Sequence, residues 1–187
     1  MLKIVKDNIA SLRQKSATVV LPLSNENKTL LDEMLQYLKD SQDDAYREKH
    51  PNCREGVGLA APQVGHNLRM LVIYYPTRDL AEGAQQTYVA YELVNPRIIV
   101  NSIRKCYIEG GEGCLSVDAE HPGNVYRDYK IIVDAFDALT GKQEKITARG
   151  FDAVVLQHEI DHLDGILFYD HIDPKDPMKV IDGAVAI

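Results

Sequence analysis

The chain contains no tryptophan and only three phenylalanines, so its aromatic character rests on ten tyrosines. No apolar run approaches the length of a membrane span. The first ten residues, "MLKIVKDNIA", lack the long apolar core and small-residue cleavage site of a signal peptide. Basic residues are in the minority, 21 Lys and Arg against 28 Asp and Glu, for a formal net charge of −7. That balance argues against a broad phosphate-binding surface and gives no sign of a nucleic-acid site. Cysteine is scarce: Cys53, Cys106 and Cys114 make an odd count with no C-x-x-C spacing. Without an export signal a disulfide framework is not expected, and the plain reading of each thiol is a small buried hydrophobe. What is present is ordinary for a globular protein: 187 residues, 45% hydrophobic and 26% charged. The expectation is one domain over residues 1–187, cytoplasmic, with no membrane contact.

Periodicity places the elements. Ser24 and Asn25 are both N-cap residue types, and Leu30, Leu31, Met34, Leu35 and Leu38 follow at helical spacing until the polar stretch "KDSQDD". The segments 69–75, 88–100 and 129–138 are rich in β-branched and aromatic residues and read as strands. Between the first two, residues 76–87 read as a surface loop. "LTGKQE" (139–144) predicts a hairpin turn leading into a strand near 144–149. Helical spacing returns over 151–164, where Phe151, Val154, Val155, His158 and His162 share a face. Asp152 is a candidate cap and Gly165 is placed to end that helix. Prolines forbid a long helix in the tail, whose last small apolar residues suggest an edge strand. The order predicts an α+β fold, a mainly antiparallel sheet packed around a central C-terminal helix.

That helix carries "QHEIDH" (157–162). His158 and His162, four residues apart, project from one side, so both imidazoles can reach one ion, with Glu159 beside it as a base. The competing reading is a buried histidine pair, which would need several hydrogen-bond partners. Two ligands are too few for a catalytic site. The extended zinc-protease pattern requires histidine where Phe168 stands; His171 comes three residues too late, and no glutamate follows Glu159. An aspartate such as Asp164 or Asp170 is the remaining protease option. Upstream, "GGEGCLSV" (110–117) offers Cys114 either as a third ligand or as a buried cysteine in a bulge. "GVGLAAPQVG" (56–65) has little side-chain bulk and one amide donor, Gln63. It lacks the G-K-[ST] of a phosphate loop.

Taken together and in this order, "GVGLAAPQ" (56–63), "EGCLS" (112–116) and "QHEIDH" resemble the motifs of peptide deformylase. The chain looks like the type 2 branch through residues 76–87, "EGCLSVDAEHPGNVYR" and its apolar C-terminus. The resemblance implies a metallohydrolase that removes formyl groups from N-formyl-methionyl peptides and releases formate. Cys114, His158 and His162 would bind one divalent ion per chain, Fe(II) first, with Ni(II), Co(II) or Zn(II) as alternatives. A metal-bound water would lose its proton to Glu159 and attack the formyl carbon. Gln63 and the Leu115 backbone N–H would stabilise the oxyanion. Val57, Gly58, Gly113, Phe151, Val154 and Val155 would contact substrate, the glycine strip pairing with its backbone and the valines walling a methionine pocket. Glu112 and Arg127 match a structural ion pair, the alternative being a solvated Arg127. Asp161 faces away from Glu159 as a supporting acid. Docking near the ribosomal exit tunnel is a further expectation. Cys53 and Cys106 match no motif of the family.

Overall fold

The computed structural model describes residues 2–77 and 84–187. Helix α1 spans Asn25–Ser41 and is capped by Ser24, whose hydroxyl accepts from the Asn27 N–H at 3.2 Å. A short α2, Asp44–Lys49, follows it. The strands are β1 (Gly58–Ala60), β2 (Met70–Pro76), β3 (Tyr88–Asn101), β4 (Lys105–Tyr107), β5 (Arg127–Asp128), β6 (Lys130–Asp137), β7 (Lys142–Arg149) and β8 (Val185–Ala186). Helix α3 spans Phe151–Leu163. The main sheet has the order β1-β2-β3-β6-β7 and is antiparallel throughout; a small sheet has the order β5-β4-β8, with β8 parallel to β4. The α+β class and antiparallel sheet expected from sequence are therefore present, as is the C-terminal edge strand. Of the expected loop 76–87, residues 78–83 lie outside the described residues.

Strand β2 explains the layering. Met70 and Val72 pack with Leu31, Met34 and Leu38 of α1, while Leu71 and Ile73 pack with Val155, Leu156 and Ile160 of α3. A strand covered on both faces reads as a continuous apolar run, and "MLVIYY" does. Strand β3 is longer than its register: pairing with β6 shifts between Val94 and Arg97. Asn95 sits there at φ 53°, its side chain bonded to both the N–H and the carbonyl of Val19 at 2.8 Å. Asparagine tolerates that left-handed backbone better than most residues, which lets the strand bulge without breaking.

The ends of α3 set the site's orientation. Its N-cap is Gly150, which makes no side-chain cap bond, so the expectation that Asp152 caps the helix is corrected. Asp152 lies inside the first turn and accepts from the Tyr75 hydroxyl at 2.6 Å. The C-terminus closes as anticipated. Ile166 N–H bonds the Asp161 carbonyl and Gly165 N–H the His162 carbonyl, with Gly165 at φ 74°. A Cβ on Gly165 would lie 2.6 Å from the Arg13 carbonyl oxygen, so close backbone approach also requires glycine here.

Candidate active site

Helix α3 passes beneath the edge strand β1 and presents His158, Glu159 and His162 on the side facing Cys114. Nitrogen and sulfur atoms of Cys114, His158 and His162 that could hold a metal all lie within 4.8 Å of one another. They form the one such cluster of three or more His, Cys, Asp or Glu among the described residues. The Cys114 sulfur is 3.3 Å from His162 Nε2. His158 directs Nδ1 to Glu112 at 2.8 Å, which turns Nε2 toward Cys114 and the space the three ligand atoms share. A thiolate and two imidazoles suit a first-row transition ion and leave a coordination position for solvent or substrate. By that chemistry the residues present fit a metal.

A charged network holds this cluster from behind. Arg127, 3% exposed, grips Glu112 with two bonds of 2.8 and 3.0 Å, so it is buried and paired rather than solvated. It also bonds Asp161, which in turn contacts His171 Nε2 at 2.7 Å. Burial raises the Glu112 pKa, but bonds from His158 and Arg127 outweigh it and bring it down to about 2. Burial likewise opposes the charged form of His158. Its bonds to Cys114 and Glu112 prevail and raise its pKa. His162 moves the other way: burial, then the charge of His158, push it down, favouring the neutral ring a metal requires.

Glu159 is 4% exposed, and its Oε2 has no partner among the described residues. Burial is the main cause pushing its pKa up to about 7, with Glu112 adding to it and His158 opposing. The carboxylate lies directly over Gly58: a Cβ there would come within 2.5 Å of Glu159 Oε1. Gln63, in the turn Ala61–Val64 after β1, is equally constrained. Its Oε1 accepts from the Ala60 N–H at 2.8 Å, which aims Nε2 at Cys114 Sγ, 3.5 Å, and Ser116 Oγ, 3.3 Å.

These groups border an open cavity of about 440 Å³. Every residue expected to touch substrate lines it: Val57, Gly58, Gly113, Phe151, Val154 and Val155, together with Gln63, Glu112, Cys114, Leu115, His158 and Glu159. Arg127 and His162 stand behind that wall, 3% and 1% exposed. Because β1 is an edge strand and the Val57 carbonyl is bonded to Tyr74 N–H at 3.0 Å, alternation turns the Gly58 N–H and C=O away from β2. Cys53 and Cys106 are buried and unpaired, in keeping with their plain reading.

Sequence reading missed several supports. Arg54 donates to the carbonyls of Cys114, Leu115 and Val117, and Lys6 bonds the Leu115 carbonyl at 3.1 Å. Since a peptide group is planar and trans, fixing the Cys114 carbonyl on Arg54 fixes the Leu115 N–H in the opposite direction. Nothing in the pattern around Arg54 announces a contact sixty residues away. Asp161 is a supporting acid, as expected, but its partners, Arg127 of β5 and His171 of the turn after α3, carry no local signal in the sequence.

A family profile described as Polypeptide deformylase matches residues 1–178. The chain is 48% identical to a peptide deformylase of Macrococcus caseolyticus over 187 residues, covering all of this chain and 98% of that one. It is 42% identical to Peptide deformylase 2 of Geobacillus stearothermophilus over 187 residues, covering 100% and 97% of the two chains. Among solved structures, a probable peptide deformylase from Synechococcus phage S-SSM7 superposes with a TM-score of 0.71 at 37% identity, over 91% of this chain and 99% of that one.

Proposed function

The chain belongs to the polypeptide deformylase family of hydrolytic enzymes, which remove the N-formyl group from nascent peptides, and we propose that it does so with a divalent ion held by Cys114, His158 and His162. The observation that carries this reading is the approach of those three ligand atoms to within 4.8 Å beside the buried Glu159. A bound ion would act as a Lewis acid toward water and the formyl oxygen.

The chain's own residues do the rest. Glu159 accepts the proton of the attacking water and returns it to the leaving amine, so formate and a free N-terminus are released. A carboxyl with a pKa near 7 is suited to both halves of that transfer. Gln63 Nε2 and the Leu115 N–H donate to the oxyanion that develops at the formyl oxygen. Gly58 and Gly113 pair with the peptide backbone. Phe151, Val154, Val155 and Val57 enclose the methionine side chain, which is unbranched and adapts to such a pocket. Glu112 orients His158, and Arg127 orients Glu112. Fe(II) is the ion we assign, with Ni(II), Co(II) or Zn(II) able to occupy the same donors. We read residues 1–187 as one catalytic domain working in the cytoplasm, near the ribosomal exit where formylated chains emerge.

The test is formate release from formyl-Met-Ala. Protein loaded with Fe(II) under anaerobic conditions should release one formate per peptide, and treatment with a chelator should abolish it. Internal peptide-bond cleavage without formate would contradict the reading.

A further inference from the structure

A second groove, of about 530 Å³, opens beside the active-site cavity. Arg54 and Leu115 line both spaces, so the two are neighbours across a single wall. The groove is built by three separate pieces of chain: residues 2–6, residues 51–54 and the loop 115–118, with Tyr37 of α1 beneath.

Its charge is opposite to that of the molecule. The chain carries a net −7, yet this groove gathers Lys3, Lys6 and Arg54 against the single carboxylate of Asp118. Asp118 is already engaged, 2.7 Å from Lys6 and 3.4 Å from Arg54. Lys3 is exposed and makes no ion pair among the described residues. At the rim of the active-site cavity Glu55 is the one acid of the 54–58 strip, and it leans toward Arg47 at 3.7 Å. The groove is therefore a cationic surface with apolar walls of Leu2, Ile4 and Tyr37.

Its position fixes what reaches it. Glu159 lies over Gly58, so the reacting end of a bound peptide is at Gly58. Arg54 is four residues earlier in the same strip. An extended chain covers at most about 13 Å over four residues. A peptide lying along the strip from Gly58 toward Arg54 thus brings about its fourth residue to Arg54 and the following ones into the groove. We propose that this groove is a second substrate-binding site, taking acidic residues at about the fourth to seventh positions of the formylated chain. The inference rests on the deformylase reading of the adjoining cavity. It makes substrate choice depend on charge well downstream of methionine.

The test compares formyl-Met-Ala-Ala-Ala-Glu-Glu-Glu, the same peptide ending in Lys-Lys-Lys, and formyl-Met-Ala. Binding of the unformylated heptapeptides is followed by fluorescence anisotropy, which reads the groove whether or not formate is released. The acidic peptide should show kcat/KM about three- to tenfold above the basic one, carried by KM, with the gap closing at high salt. Lys3→Glu should erase or reverse the preference in both assays and leave formyl-Met-Ala turnover unchanged; Asn52→Lys, on the opposite wall, should widen it. Equal binding of the two heptapeptides, or a preference that survives Lys3→Glu, would overturn the proposal. Absence of formate from formyl-Met-Ala, with the acidic preference intact in anisotropy, would instead count against the deformylase mechanism alone.

Discussion

Glu159 and Glu92 are both glutamates with a buried carboxylate oxygen that has no partner among the described residues, and burial pushes both up to about 7. Their surroundings differ. Glu159 stands on α3 beside Cys114, His158 and His162, with Gly58 cleared of side chain in front of it and a cavity alongside. Glu92 lies on β3 under α1, close to Asp137, whose carboxylate accepts from the Glu92 and Leu139 N–H groups. Asp32 raises its pKa further and Lys39 opposes. A perturbed carboxyl is therefore not by itself a site. Donors that converge on one point, and space for a substrate atom, separate the two.

Neutralising each acid in turn separates the two glutamates most strongly. Glu159→Gln should lower kcat by about a thousandfold with metal content unchanged, a loss in the usual range for a general base. Glu92→Gln should keep kcat within about twofold, since its carboxyl touches no reacting atom. Next comes the support behind the site. Arg127→Ala strands Glu112 and Asp161 in a nearly dry interior and should cost about 3 kcal/mol or more in urea unfolding. Gly58→Ala should lower kcat by roughly ten- to a hundredfold while the fold stays intact, because the new methyl displaces Glu159 from its position.

The smallest effect is on stability against pH. The folded pKa of Glu92, about 7, lies above its unfolded value of 4.5. The folded state binds that proton more tightly, so stability is intact below pH 4.5 and declines as pH rises through about 7. Glu92→Gln should therefore be more stable than the parent at pH 8, by about 1–3 kcal/mol, with the gain vanishing toward pH 4.5. Glu112, held at about 2, runs the opposite way: its contribution is present above pH 4.5 and is lost as pH falls toward 2. A Glu112→Gln variant should lose stability relative to the parent at neutral pH and converge on it in acid.

The readable parts of this molecule were those with local signals. Leu31, Met34 and Leu38 announce α1 by period, and Gly165 marks the end of α3 by its left-handed backbone. His158 and His162 declare a shared helix face by spacing alone. Cys114 could be matched to them only through the joint pattern of three stretches. The cap of α3 was misplaced because Asp152 looks like a cap in sequence, while its partner, Tyr75, is reached only across the sheet. Glu92 was not legible at all: in "YVAYELVN" it looks like an outward strand residue, and only the position of α1 buries it. Arg54 and Lys6 reach the 114–118 loop from irregular segments 60 or more residues earlier, where periodicity carries no information, and His171 meets Asp161 only because the chain turns back after α3.

In the proposed reaction, formyl hydrolysis depends on an ion held by Cys114, His158 and His162. Its most direct test is to titrate metal-free protein with Co(II) and follow thiolate-to-cobalt absorption and formate release from formyl-Met-Ala in the same samples. Both signals should rise together and level off at one ion per chain, and both should vanish in Cys114→Ala. Full formate release from metal-free protein, or release that saturates independently of the thiolate band, would contradict it.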